Sequence, residues 1–130
     1  MIGIVIVAHG GLAREYLAAI QHVIGEQPDI VAISIGPEDN RADKQSEICA
    51  AADKVDHGDG VVVVTDLFGG SPSNLSLRAC APENRRILYG ANLPALIKLA
   101  KSRRLPVADA VRGAMEAGRK YINTQNVSLD

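Results

Sequence analysis

Four consecutive valines at 61–64, closed by Thr65, leave little choice of architecture. β-Branched side chains favour extended backbone, and a strand apolar on both sides needs cover on both faces. A parallel sheet between helices meets that condition. Two further runs of this kind lie at 2–8 and 30–35, and 86–89 makes a fourth, shorter strand. Segments of helical period separate them. Residues 12–24 place Leu12, Tyr16, Ile20, Val23 and Ile24 on one face and His22 on the wet one. Asn40 caps a helix running to about His57, with Ile48, Cys49, Ala52 and Val55 turned inward. Ser71 is expected to cap a helix to about Ala81, with Pro72 at its first position. Asn92 opens a helix through Lys101, and Pro106 opens the last, to about Ile122. The pattern predicts an α/β fold, a doubly wound and mainly parallel sheet of four strands with helices on both faces. The tail NVSLD, 126–130, alternates apolar and polar residues and is a candidate extra antiparallel strand at the C-terminus.

In such sheets ligands bind beyond the carboxyl ends of the strands, near the switch in strand order. Two strand ends carry chemistry. The first delivers His9 into Gly10-Gly11, and the third runs into DLFGGSPSN at 66–74. His9 alone reads equally as a ring satisfied by backbone groups, and Asp66 alone as a turn residue capping amides. Together they suit a division of labour. A carboxylate holding one imidazole nitrogen fixes the tautomer and frees the other nitrogen as a nucleophile. Gly69, Gly70 and Ser71 open a helix whose first N–H groups favour an anion. These three elements fit a histidine that accepts a phosphoryl group, with the amides and Ser71 holding its oxygens.

Other classes fit poorly. A net charge of -1 and a pI near 6.3 argue against nucleic acid, and with three Tyr, one Phe and no Trp there are few rings on which bases or a flavin would stack. AHGGLA at 8–13 is not a dinucleotide fingerprint and no P-loop occurs, so the phosphoryl donor is expected to be a phosphoprotein rather than ATP. His22, His57, Cys49 and Cys80 lack ligand spacing, so neither metal nor other cofactor is expected, and the two cysteines read as buried helical thiols. The basic run KSRR at 101–104, with Arg85, Arg86 and Arg112, reads as a solvated helix end or as a docking patch for an acidic partner. No run is long enough to span a membrane and 2–8 lacks the flanks of a signal peptide, which predicts a cytoplasmic protein.

With IVIVAHG at 4–10, TDLFGGSPSN at 65–74, GPEDN at 36–40 and ANLP at 91–94, the chain resembles the enzyme IIA domain of the mannose family of the bacterial sugar phosphotransferase system. The resemblance runs over essentially the whole chain. It implies that His9 is phosphorylated by HPr, that Asp66 hydrogen-bonds the imidazole, and that Gly69, Gly70 and Ser71 form the phosphoryl cradle. The group would pass on to a histidine of a IIB protein, or the phosphorylation state would be reported to a regulatory target. A homodimer is implied too, sometimes with an exchanged C-terminal strand, which would employ NVSLD. Phe68 departs from the tryptophan of many members, a change that bears on partner packing. The chain is expected to be one domain, 1–130, with no IIB domain fused after its last helix. A phosphotransfer subunit for dihydroxyacetone kinase resembles it in fold but typically lacks the GGSPxN run. A module that binds a phosphorylated ligand non-covalently is the remaining alternative.

Overall fold

The apolar runs become strands β1 (Gly3–His9), β2 (Ile30–Ile35), β3 (Val61–Thr65) and β4 (Arg85–Leu88) in a computed structural model that describes residues 1–129. Helices α1 (Leu12–Ile24), α2 (Arg41–Val55), α3 (Gly70–Ser76), α4 (Leu93–Lys101) and α5 (Val107–Lys120) connect and follow them. The sheet is parallel throughout, in the order β2-β1-β3-β4. From β1 the chain winds first to β2 on one side and then to β3 on the other. The reversal of strand order therefore falls between β1 and β3, where His9 lies beside Ile35 and Val7 beside Thr65.

Alternate residues of the apolar runs feed two separate cores. Ile4, Ile6, Ala8, Val62 and Val64 pack against Ile20 of α1, Leu96 and Leu99 of α4, and Ala110 and Ala114 of α5. Val5, Val7, Val61 and Val63 face the other way, onto Ile48, Ala52 and Val55 of α2 and Leu75 of α3. All of these strand residues are essentially inaccessible to solvent. Continuous apolarity in the sequence thus reports burial on both faces. At about 25 cal/mol per Å² of apolar surface removed from water, these two layers supply the main drive for folding.

The structure departs from the expected elements in several places. The fourth strand is shifted one residue back, to Arg85–Leu88 with Tyr89 beyond its end, because Arg85 is paired with Val61 and its guanidinium is anchored by Asp53, Asp56 and the Ala79 carbonyl. The helix expected to run to Ala81 stops at Ser76. Beyond it the amides bond three residues back, Cys80 N–H to the Leu77 carbonyl at 3.1 Å, and Arg78–Cys80 forms a tight 3-10 turn. Cys80 therefore sits in that turn; its thiol is half-buried, like Cys49, and burial pushes it up to about 11. Leu12 and Val23, expected to face inward, are exposed at the ends of α1. The tail forms no strand over 126–129, and Asp130 lies outside the described residues. Alternation specifies a strand only where an edge pairs it, and within one chain that segment makes no ladder with β4.

The basic patch is corrected as well. Arg103 is 2% exposed and donates to the Ile2 carbonyl at 2.7 Å and the Asp29 carbonyl at 3.1 Å, tying the start of β1 to the start of β2. Arg85 is buried in its acidic cage. Two of the cations expected on a wet surface are internal fasteners, far from the carboxyl edge of the sheet. No helix among the described residues is long and apolar enough to cross a membrane.

Candidate functional site

β1 and β3 end side by side at the carboxyl edge, and their last side chains meet there. One oxygen of Asp66, Oδ2, accepts twice from His9: from the backbone N–H at 3.1 Å and from the ring at Nδ1, 2.9 Å away. The ring is thereby fixed both in position and in tautomer, with the proton on Nδ1 facing the carboxylate. The Asp66 side chain is 9% exposed and that of His9 49%, so the pair has a buried foot and an open head. Burial pushes the Asp66 carboxyl up, but the two hydrogen bonds from His9 and the charge of its ring outweigh this and hold it below the usual carboxylate value. The anion is secure at neutral pH.

Nε2 has no hydrogen-bond partner among the described residues and turns to the loop after β3. A Cβ placed on Gly70 would stand 4.0 Å from Nε2 and 3.9 Å from Cε1, so the backbone there comes up to the free nitrogen. Gly69 and Gly70 hold φ of +82° and +77°, conformations that L side chains rarely adopt. This explains the Gly pair that an ordinary capped helix would not need. Thr65, fully buried, fastens the base of the loop through its hydroxyl to the Leu67 carbonyl at 3.0 Å. Tyr16 closes the rear, donating to the Ala91 carbonyl at 3.1 Å. Burial first, and then the nearby Asp66 charge, raises the Tyr16 phenol, which keeps its proton as a donor.

Ser71 is placed differently from the expectation. The helix begins at Gly70, Gly69 occupies the cap position without a side-chain cap, and Ser71 and Pro72 lie inside the first turn. The Ser71 hydroxyl oxygen instead accepts from Arg41 Nη1 at 3.2 Å. Arg41 was not among the residues singled out from the sequence. The signal available was the Asn40 cap, which the structure retains with Asn40 Oδ1 accepting from Asp43 N–H at 3.0 Å, and which sets Arg41 as the first residue of α2. α2 and α3 follow the parallel strands β2 and β3 and pack on the same face, so their first turns both lie at the carboxyl end of the sheet. Phe68, 82% exposed, stands beside this opening with its ring edge-on to Tyr89 at 4.9 Å. His57 lies away from the site, 3.2 Å from Asp29. Among the described residues no three His, Cys, Asp or Glu side chains gather as a metal site.

Fold and site together define a doubly wound α/β protein with a carboxylate-backed imidazole at its switch point. The family model described as PTS system fructose IIA component matches residues 3–116, and the chain belongs to that family. Among curated proteins it is similar to the PTS system mannose-specific EIIAB component of Escherichia coli K12, 30% identical over 124 residues. That match takes in 93% of this chain and 38% of the relative, so the chain spans well under half the length of that protein. It is 26% identical to the PTS system sorbose-specific EIIA component of Lacticaseibacillus casei over 98 residues, 75% of this chain and 70% of that one. Two solved structures superpose over nearly their full length. They are the mannose/sorbose-specific IIA subunit from Enterococcus faecalis (TM-score 0.87, 26% identity, 98% of this chain and 97% of that) and the phosphotransferase system component EIIA from Streptococcus agalactiae (TM-score 0.86, 26% identity, 95% and 97%).

Proposed function

We propose that this chain is a phosphohistidine carrier of the sugar phosphotransferase system, with His9 as the acceptor. The observation that carries the proposal is the Nδ1–Asp66 contact at 2.9 Å, with Nε2 turned outward beside Gly70. In the forward step the Nε2 lone pair attacks phosphorus on the phosphohistidine of HPr. The P–N bond of the donor breaks, its electron pair returns to the donor nitrogen, and a P–N bond forms at His9. The ring gains positive charge as this bond forms, and the Asp66 carboxylate offsets it through the proton retained on Nδ1. Amides of Gly69, Gly70 and Ser71, with the Ser71 hydroxyl, meet the phosphoryl oxygens, which carry the developing charge. In onward transfer a histidine of a IIB protein attacks the phosphorus, the P–N bond at His9 breaks and its electron pair returns to Nε2. In the regulatory role the group stays on His9 and reports phosphorylation state to a target. A protein donor is supported by the open head of the site and by the loop that follows Asp66, where Leu67 and Phe68 expose apolar surface. Assembly as a homodimer is supported by the apolar side chains left exposed after α5, Tyr121, Ile122, Val127 and Leu129.

The experiment is an intact mass spectrum, held at neutral pH or above, after incubation with phosphoenolpyruvate, enzyme I and HPr. One acid-labile phosphoryl group is expected, absent in His9→Ala. No gain while HPr itself is phosphorylated would overturn the proposal and favour the dihydroxyacetone kinase role or reversible ligand binding. The native mass of the same preparation, one chain or two, decides the assembly.

A further inference from the structure

Arg41 is a cation with no carboxylate in ion-pair reach among the described residues. Its neighbour Lys44 lies 3.0 Å from Glu47 and 4.0 Å from Asp39, and Arg85 and Arg112 are bound to aspartates. Among the described residues Arg41 is ion-paired with none, and its one hydrogen bond goes to Ser71 Oγ at 3.2 Å. The two residues line one cleft together with Gly36, Pro37, Lys44 and Asp39, whose carboxylate is engaged by the Gly36 N–H at 2.6 Å and by Lys44 at 4.0 Å. A serine hydroxyl has a single proton. When Arg41 donates to the oxygen, that proton cannot point at Arg41 and must be offered elsewhere, and a donated hydrogen bond strengthens the one passed on. Ser71 Oγ has no acceptor of its own among the described residues, and it follows directly on Gly70, the residue against His9 Nε2.

We propose that Arg41 is a positioning residue for phosphoryl transfer, acting through Ser71 to aim the hydroxyl proton at the phosphoryl group on His9 and bringing a positive charge to that cradle. The inference rests on the carrier role proposed above. It concerns a residue 30 positions from Ser71 in sequence, joined to it only by the packing of α2 and α3 on one face.

The test is the rate of phosphoryl uptake from phosphorylated HPr, and the lifetime of the phosphorylated form, in wild type, Arg41→Ala, Arg41→Lys, Ser71→Ala and the double variant. Arg41→Ala is expected to slow uptake about fivefold at low salt, the size of one modest charge-assisted hydrogen bond at an open site. It is also expected to shorten the lifetime of the phosphorylated form. Arg41→Lys should recover part of the loss. In the Ser71→Ala background, Arg41→Ala should add little, because residues acting as one unit are non-additive. Wild-type uptake and lifetime in Arg41→Ala, or effects of the two variants that multiply, would overturn the role of Arg41 alone. A merely structural contact would lower the melting temperature while leaving the lifetime unchanged, and that too would overturn it. Failure of the wild type to accept a phosphoryl group would instead bring down the carrier role and this inference with it.

Discussion

A single carboxylate oxygen receiving both the backbone N–H and the ring N–H of His9 is an economical clamp. It fixes where the ring stands, which nitrogen faces the carboxylate, and which nitrogen is left without a partner among the described residues. Because the Asp66 carboxyl is held below its usual value, the clamp stays charged throughout the neutral range. On the proposed carrier role, Asp66→Asn keeps the shape but removes the charge that would stabilise the ring as Nε2 bonds phosphorus. Transfer from HPr should slow by about 10²-fold, the range seen when one preorganised electrostatic partner is removed, while phosphorylation still goes to completion at long times. Quenched-flow measurement of the phosphorylated fraction checks this, and wild-type speed would reduce Asp66 to a loop cap. Both members of the pair were legible in the sequence because each stands at the end of an unmistakable strand. Arg41 was not, because nothing local marks an arginine at a helix start as the partner of a serine 30 residues away.

At the scale of elements, the amino edge of the sheet is held by polar fasteners. Asp56, at the end of α2, accepts from the Gly58 and Gly60 amides at 3.0 and 3.3 Å, from Asn84, and from Arg85 Nε and Nη2 at 3.3 and 3.2 Å. Burial pushes its carboxyl up, yet these donors outweigh burial and hold it below the ordinary 3.8. A carboxyl depressed in the folded state contributes its stabilisation in full above its unfolded value and loses it as pH falls through its folded one. Asp56→Asn should therefore cost about 1–3 kcal/mol at pH 7, and the gap from wild type should narrow as the solution is taken below the carboxylate range. Denaturant titrations at neutral and acid pH measure it; a gap that does not change with pH would show that the charge is not its source. The sequence marked 57–60 as a break but showed nothing of this cage, and it placed Arg85 and Arg103 on wet surfaces. Composition and charge runs report side-chain type, whereas burial of an arginine depends on carbonyls and carboxylates brought in from distant segments: Arg103 is 101 residues from the Ile2 carbonyl it holds.

Over the whole molecule, the strand order decides that there is a site at all. β1 lies between β2 and β3, so the ends of β1 and β3 are neighbours at the switch point, and residues 57 positions apart come within hydrogen-bonding distance. This much was legible because unbroken apolar runs alternating with helical periods admit few topologies. The fate of the tail was not, since an alternating pattern names a strand without naming the edge that completes it. The central claim is that His9 Nε2 takes the phosphoryl group while Nδ1 keeps its proton against Asp66. It is tested most directly by nitrogen-15 and phosphorus-31 NMR of the histidine-labelled protein after phosphorylation by HPr. Phosphorus coupled to Nε2 of His9, with Nδ1 still protonated, is the predicted result; phosphorus on Nδ1, on His22 or His57, or on no histidine would contradict it.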